Sequence, residues 1–155
     1  AYVGLGVLMA RQGDYVQAMD LYSQAIKLQP GYPDAHYNRA VALQRLGDQE
    51  AARAAYEQAL AADPGYPEAH NALGLMAAQQ NDLPAAVAHY QAAIASLPTY
   101  AQAHNNLGVA LARLGQFREA AAQFAKAVEL DPDYADARNN LSKARQKLQA
   151  AGQTQ

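Results

Sequence analysis

The stretch Asp63-Pro64-Gly65-Tyr66-Pro67-Glu68-Ala69-His70-Asn71-Ala72-Leu73-Gly74 decides the fold, because it returns, with changes, every 34 residues. Pro30, Pro64, Pro98 and Pro132 share one register; Tyr32, Tyr66, Tyr100 and Tyr134 share another. A fixed period of about 20–50 residues marks stacked supersecondary units. Between these breaks lie Gly13-Asp14, Gly47-Asp48, Asn81-Asp82 and Gly115-Gln116. A glycine stops one helix, and an aspartate after it is a good N-cap for the next. Pro33 and Pro67 suit a first helical turn. The spacing therefore predicts paired helices over about 1–12 and 15–28, 33–46 and 49–62, 67–80 and 83–96, and 101–114 and 117–130. A last helix without a partner follows at about 135–150. The expectation is one domain over 1–150, with repeats at 1–32, 33–66, 67–100 and 101–134, a cap helix at 135–150 and a frayed tail at 151–155.

Composition agrees with an all-α chain. Alanine is abundant while valine, isoleucine and threonine are sparse, which favours helix over strand. The 155 residues suffice for one domain with a real core. The net charge of −2 is spread along the chain and lacks the basic footprint of a nucleic-acid binder. With no cysteine, disulfides, thiolate chemistry and cysteine-ligated metals are excluded. The longest apolar runs fall far short of a membrane span, so no membrane insertion is expected. No basic segment opens the chain at Ala1-Tyr2, so no signal peptide is visible. The compartment stays open, with a soluble, cytoplasmic placement the first expectation.

Each predicted unit is a hairpin of helix A and helix B. Small residues recur where two helices must approach: Gly6, Ala40, Gly74, Gly108 and Ser142 on helix A, with Ala18, Ala52, Ala86, Ala120 and Ala25, Ala59, Ala93, Ala127 on helix B. Tyr22, Tyr56, Tyr90 and Phe124, then Ile26, Leu60, Ile94 and Val128, fill the space beside them. Interaxial distances of about 8–10 Å leave no room for bulk at the crossings. In these rows the whole chain resembles the tetratricopeptide repeat (TPR). The usual tryptophan early in helix A is replaced by Tyr2, His36, His70 and His104. The resemblance implies a right-handed superhelical solenoid of antiparallel hairpins, about four repeats plus the C-terminal cap, with helix A lining a concave groove that holds peptides. His70-Asn71-Ala72-Leu73-Gly74 and His104-Asn105-Asn106-Leu107-Gly108 also resemble the repeat arm of O-linked N-acetylglucosamine transferases.

By register, the groove is lined by Val3, Val7 and Arg11; by Tyr37, Asn38, Val41 and Arg45; by Asn71, Leu75 and Gln79; by Asn105, Asn106, Val109 and Arg113; and by Asn139, Asn140, Lys143 and Lys147. Asn38, Asn71, Asn105, Asn106, Asn139 and Asn140 make an amide ladder. A carboxamide both donates and accepts, so the ladder can read the backbone of an extended peptide, or it can cap neighbouring helix ends and hold water. Val7, Val41, Leu75 and Val109 form an apolar row that either meets a ligand or packs on the next helix A. Tyr37 has the aromatic body and polar tip of a binding hot spot. Arg11, Arg45, Arg113 and Lys147 lie near helix-A C-termini, and Asp34, Glu68 and Asp136 near N-termini. That placement complements the helix dipole, and the basic row also offers contacts to an acidic partner.

No catalytic residue, metal site or cofactor is expected. His36, His70 and His104 occupy equivalent slots whose backbones lie about 10 Å or more apart. Zinc requires nitrogen donors at about 2.0–2.1 Å from one ion, so packing between hairpins is the better reading. Ser23, Ser96, Ser142, Thr99 and Thr154 have no His and acid beside them in a triad-like pattern. Gly4 and Gly6 lack the strand-to-helix context of a phosphate loop. The carboxylate clamp of chaperone-binding relatives is absent in its usual form, because Tyr37 with Val41, or Val3 with Val7, holds its slots. The last helix keeps Leu141, Ala144 and Leu148 for packing and turns Lys143, Arg145, Gln146, Lys147 and Gln149 outward. At the other end Tyr2, Leu5 and Met9 sit near an open edge, covered either by further repeats before Ala1 or by a second copy, which makes a homo-oligomer through this edge an expectation. The leading functional reading is a protein–protein interaction module that binds a peptide segment of a partner in the groove. The alternatives are the substrate-recruiting arm of a larger glycosyltransferase and a self-assembling scaffold.

Overall fold

The computed structural model describes residues 1–152. Among them run α1 (Tyr2–Arg11), α2 (Tyr15–Leu28), α3 (Pro33–Leu46), α4 (Gln49–Ala62), α5 (Pro67–Gln79), α6 (Leu83–Ser96), α7 (Ala101–Arg113), α8 (Phe117–Leu130) and α9 (Ala135–Gly152), with no strand among the described residues. Contacts divide the chain into two compact units, Ala1–Ala69 and a second that begins at His70 inside α5. Both are built from helical hairpins, so the architecture is the all-α solenoid of helix pairs expected from the period. The one boundary that moves by more than a residue is that of α9, which continues to Gly152. Gln149, Ala150 and Ala151 are good helix formers and extend it past the predicted stop at 150. Residues 153–155 of the predicted tail lie outside the described residues.

One device closes every hairpin. In the first, the amide of Gly13 donates to Ala10 O at 3.0 Å and that of Asp14 donates to Met9 O at 3.0 Å. This is the Schellman pattern, which satisfies the last carbonyls of a helix and requires a left-handed residue at the turn. The pairs Asp48 to Leu43 (3.0 Å), Asp82 to Ala77 (2.9 Å) and Gln116 to Leu111 (2.9 Å) repeat it. Gly13, Gly47 and Gly115 take φ of 85°, 89° and 79°, and Asn81 supplies φ of 62° in the third hairpin. The residue that ends helix A then caps helix B. Oδ1 of Asp14, Asp48 and Asp82 accepts from the amides of Gln17, Ala51 and Ala85 at 3.0, 3.1 and 3.1 Å. Gln116 fills the same place in the fourth hairpin without a side-chain cap bond. Between hairpins the chain turns at proline: Tyr32, Tyr66, Tyr100 and Tyr134 each donate their amide back three residues, to Gln29, Asp63, Leu97 and Asp131.

The predicted small rows are the crossing points. Ala18, Ala52, Ala86 and Ala120 are fully buried, as are Ala59, Ala93 and Ala127, and Tyr22, Tyr56, Tyr90 and Phe124 are buried beside them. A Cβ built on Gly6, Gly74 or Gly108 would stand 2.5, 2.6 and 2.6 Å from the rings of Tyr22, Tyr90 and Phe124. In these three hairpins the aromatic of helix B thus packs against bare backbone of helix A, while in the second hairpin buried Ala40 fills the slot. Ser142, the next residue in that row, is exposed, because α9 has no helix B of its own. Leu141 and Leu148 of α9 are half-buried and Ala144 is buried, while Lys143, Arg145, Gln146, Lys147 and Gln149 face outward.

Candidate functional site

The helix-A residues predicted to line the groove separate into two groups. In the second unit, Asn106 Nδ2 donates to Asn71 Oδ1 at 2.9 Å, and Asn140 Nδ2 donates to Asn105 Oδ1 at 3.0 Å. Asn71 and Asn105 are only 5% and 6% exposed. The amides therefore form rungs between neighbouring A helices, α5 to α7 and α7 to α9. The rule is geometric: each rung joins an asparagine to one 35 positions later. Asn38 is the counterpart of Asn106 and Asn140, but Val3 stands where its acceptor would be, and it turns back to donate to Asp34 O at 2.7 Å. Asn139 is exposed. Arg113 makes a similar cross-link, donating from Nη1 to Ala78 O at 2.9 Å and from Nη2 to Asn81 Oδ1 at 2.8 Å. It neutralises the carbonyl end of α5 and holds the turn that follows, as a cation at a helix C-terminus does.

In the first unit the corresponding surface is aromatic. Tyr37 lies between Tyr56 and Tyr66, with ring centroids 5.6 and 5.4 Å away in tilted arrangements. The Tyr66 hydroxyl donates to Asp34 Oδ1 at 2.8 Å, and the Tyr56 hydroxyl to Gln44 Oε1 at 3.0 Å. Burial, with the Asp34 bond and charge behind it, pushes the Tyr66 phenol well above its ordinary range, and burial does the same to Tyr56. Tyr37 is also raised, by burial and then by the Glu68 charge. The Tyr66 and Tyr56 phenols stay protonated donors, and Tyr37 packs against both of their rings.

The histidines that take the tryptophan slot do not converge. His36 Nε2 lies 2.7 Å from Pro30 O, and His104 Nε2 lies 3.0 Å from Pro98 O, so each ring donates to the turn before its helix. The other ring nitrogen faces helix B at the residue 19 positions on: Gln123 for His104 (2.8 Å) and His89 for His70 (3.2 Å). At His36 that slot holds Ala55, and its buried Nδ1 has no hydrogen-bond partner.

Sequence register alone did not reveal that two pockets on the A-helix face are built from the same positions. The first, about 360 Å³, is lined by Val7, Ala10, Arg11, Tyr15, Tyr22, Asn38, Val41, Ala42 and Arg45. The second, about 280 Å³, is lined by Val109, Ala112, Arg113, Phe117, Phe124, Asn140, Lys143, Ala144 and Lys147. Every residue of one has its counterpart three repeats away in the other. Each pocket has alanines and the edge of the helix-B aromatic as its floor, an asparagine at its side and basic residues on its rim. Val41, Val109, Arg45 and Arg113 of the predicted groove belong to these pockets, together with Asn38 and Asn140. Leu75 is 36% exposed and Val109 38%, whereas Val7 and Val41 are half-buried, so the apolar row is part exposed surface and part helix packing.

No helix among the described residues is long and apolar enough to cross a membrane. Three family models match the chain: "Tetratricopeptide repeat" over residues 37–101 and again over 101–134, and "TPR repeat" over 6–47. Comparison with curated proteins returns no significant match. Among solved structures, the chain is similar to PilF of Pseudomonas aeruginosa, with a TM-score of 0.85 at 22% identity over 96% of this chain and 68% of that one. It is also similar to PilW, described as a widely conserved type IV pilus biogenesis factor (TM-score 0.82, 27% identity, 94% and 67% covered). A third is YrrB, described as a TPR protein with an unusual peptide-binding site (TM-score 0.75, 24% identity, 92% and 74% covered). With its hairpins, its period and these matches, the chain belongs to the tetratricopeptide-repeat family, whose fold serves as a protein-interaction module.

Proposed function

We propose that this chain is a non-catalytic module that holds a peptide segment of a partner protein against its A-helix face. The observation that carries the reading is the recurrence of one pocket, position for position, in both units. A subsite with an apolar floor and a polar rim suits a peptide side chain entering it, and each unit carries one. Tyr37, Asn38, Val41, Arg45, Leu75, Asn106, Val109, Arg113, Asn139 and Asn140 supply contacts in this reading. Asn71 and Asn105 act behind them, holding the rungs. The unusual peptide-binding site described for YrrB makes such a use of the fold a precedent. Panning a random peptide-display library on the chain, beside a Val41→Asp/Val109→Asp variant, tests the proposal. Peptides enriched on the parent and lost on the variant support it; absence of enrichment, or enrichment indifferent to both changes, refutes it.

A second reading, self-association through α1, is favoured by the exposure of Tyr2, Leu5 and Leu8, at 39%, 47% and 48%. Light scattering at rising concentration reads it directly. Oligomers abolished by Leu5→Glu support it, and a constant monomer mass excludes it.

A further inference from the structure

The two pockets share a floor but differ on the rim, and the difference points to the chemistry of the occupant. In the second unit Lys143 replaces Val41, so that Arg113, Lys143 and Lys147 surround an opening with no acidic residue in its lining. Basic residues near helix-A C-termini have an ordinary explanation, the helix dipole, which acts within the last turn. Arg113 is accounted for in that way by its bond to Ala78 O. The explanation does not reach the two lysines. Because α9 runs on to Gly152, Lys143 and Lys147 lie before its last turn, which carries no base. Both are exposed. In all, α9 carries Arg138, Lys143, Arg145 and Lys147 against Asp136, in a chain whose net charge is −2. Of these, Lys143 and Lys147 join Arg113 in lining the pocket, while Arg138 and Arg145 line a separate hollow, so the pocket carries three bases that none of its own residues compensates.

Size narrows the occupant further. A volume of about 280 Å³ lies just below the range of about 300–1,000 Å³ typical of small-molecule sites, and suits one large side chain better than a whole ligand. Ala112, Ala144 and the edge of Phe124 give it an apolar floor. Resting on the peptide-binding reading above, we infer that the α7–α8–α9 pocket takes a bulky apolar side chain from an acidic segment of a partner protein, with flanking carboxylates meeting Lys143 and Lys147. Long, flexible ammonium groups reach carboxylates on either side of the buried residue without demanding one fixed geometry. Attraction of this kind weakens as salt shortens the screening length.

The experiment selects a random peptide-display library in parallel on the full chain, on Lys143→Glu/Lys147→Glu and on Lys143→Gln/Lys147→Gln, and sequences the pools. Circular dichroism of each variant confirms the fold, which exposed positions leave intact. The inference predicts that peptides enriched on the parent carry Asp or Glu beside an aromatic or large aliphatic residue. It predicts on the order of tenfold depletion of these peptides on the Glu variant and a smaller depletion on the Gln variant. Enriched peptides that are neutral or basic, or that bind the Glu variant equally well, overturn the inference and leave the peptide-binding reading standing. Acidic peptides with no apolar residue overturn it too, since they report surface charge and not the pocket. No enrichment on the parent chain defeats both.

Discussion

The contact between Gly108 and Phe124 sets the spacing of the fourth hairpin, and a single methyl group tests it. A Cβ at Gly108 would lie 2.6 Å from Phe124 Cε1, 2.7 Å from Cδ1 and 3.0 Å from Cζ. Carbon atoms in contact prefer about 3.5–4.0 Å, so Gly108→Ala demands a shift of about 1 Å by a ring that is 2% exposed. Overpacking of this kind costs about 1–3 kcal/mol. Against it, alanine is favoured over glycine inside a helix by about 1 kcal/mol. The net expectation is a loss of about 1 kcal/mol. Shortening the ring isolates the clash: in a Phe124→Leu background, itself destabilised, Gly108→Ala should become neutral or stabilising by up to about 1 kcal/mol. Urea denaturation followed by circular dichroism measures all four corners of the cycle, with coincident probes checking that the repeats unfold together. If Gly108→Ala stabilises the parent chain, or shifts both backgrounds alike, the bare backbone is not what admits the aromatic ring and the reasoning fails.

Three further predictions follow from the same geometry. Asn105→Ala should cost about 1–2 kcal/mol, because it strands the Asn140 amide, whereas exposed Asn139→Ala should be neutral within about 0.5 kcal/mol; urea midpoints compare them. Gln116→Asp should raise the melting temperature by restoring the cap that Asp14, Asp48 and Asp82 provide, with a gain of about 0.5–1 kcal/mol, while Asp82→Ala should lose a similar amount. Burial pushes the Tyr90 phenol up to about 12 from 10.0, with Arg113 acting the other way. The folded state therefore keeps a proton that the unfolded chain releases. The Tyr90 contribution is fully present below pH 10 and is lost as pH rises from about 10 to 12. Tyrosinate absorbance should show Tyr90 ionising after exposed tyrosines, and urea midpoints should fall across that window.

Much of this was readable from residue types. Glycine or asparagine followed by aspartate located three hairpin turns, and Gly115 with the period located the fourth, because the left-handed residue and the cap are local requirements. The alanine rows located the crossings, because close approach admits little else. The site was less legible for a different physical reason. Helical register places Asn71, Asn105, Asn106 and Asn140 on one face, but it does not tell which of them face one another across two helices. The offset of 35 residues between Asn71 and Asn106, and between Asn105 and Asn140, was present in the sequence. Its meaning depends on how far one A helix slides along the next, and the chain does not state that distance locally. Arg113 is a similar case: a base near a helix end looked like a dipole partner of its own helix, and it instead serves the end of α5. The helix-A walls of the pockets, such as Val41, Arg45, Lys143 and Lys147, stood in the predicted groove, but the pockets themselves were not legible, since each is closed by a helix B and draws on three helices.

The central claim is that the A helices, and not the B helices or the α1 edge, engage a partner. An amide chemical-shift titration of the chain with the peptide most enriched in display tests it most directly. The account predicts perturbations concentrated on α1, α3, α7 and α9 around Val7, Val41, Val109 and Lys143. Perturbations confined to the exposed faces of α2, α4, α6 and α8, or to Tyr2, Leu5 and Leu8, would contradict it.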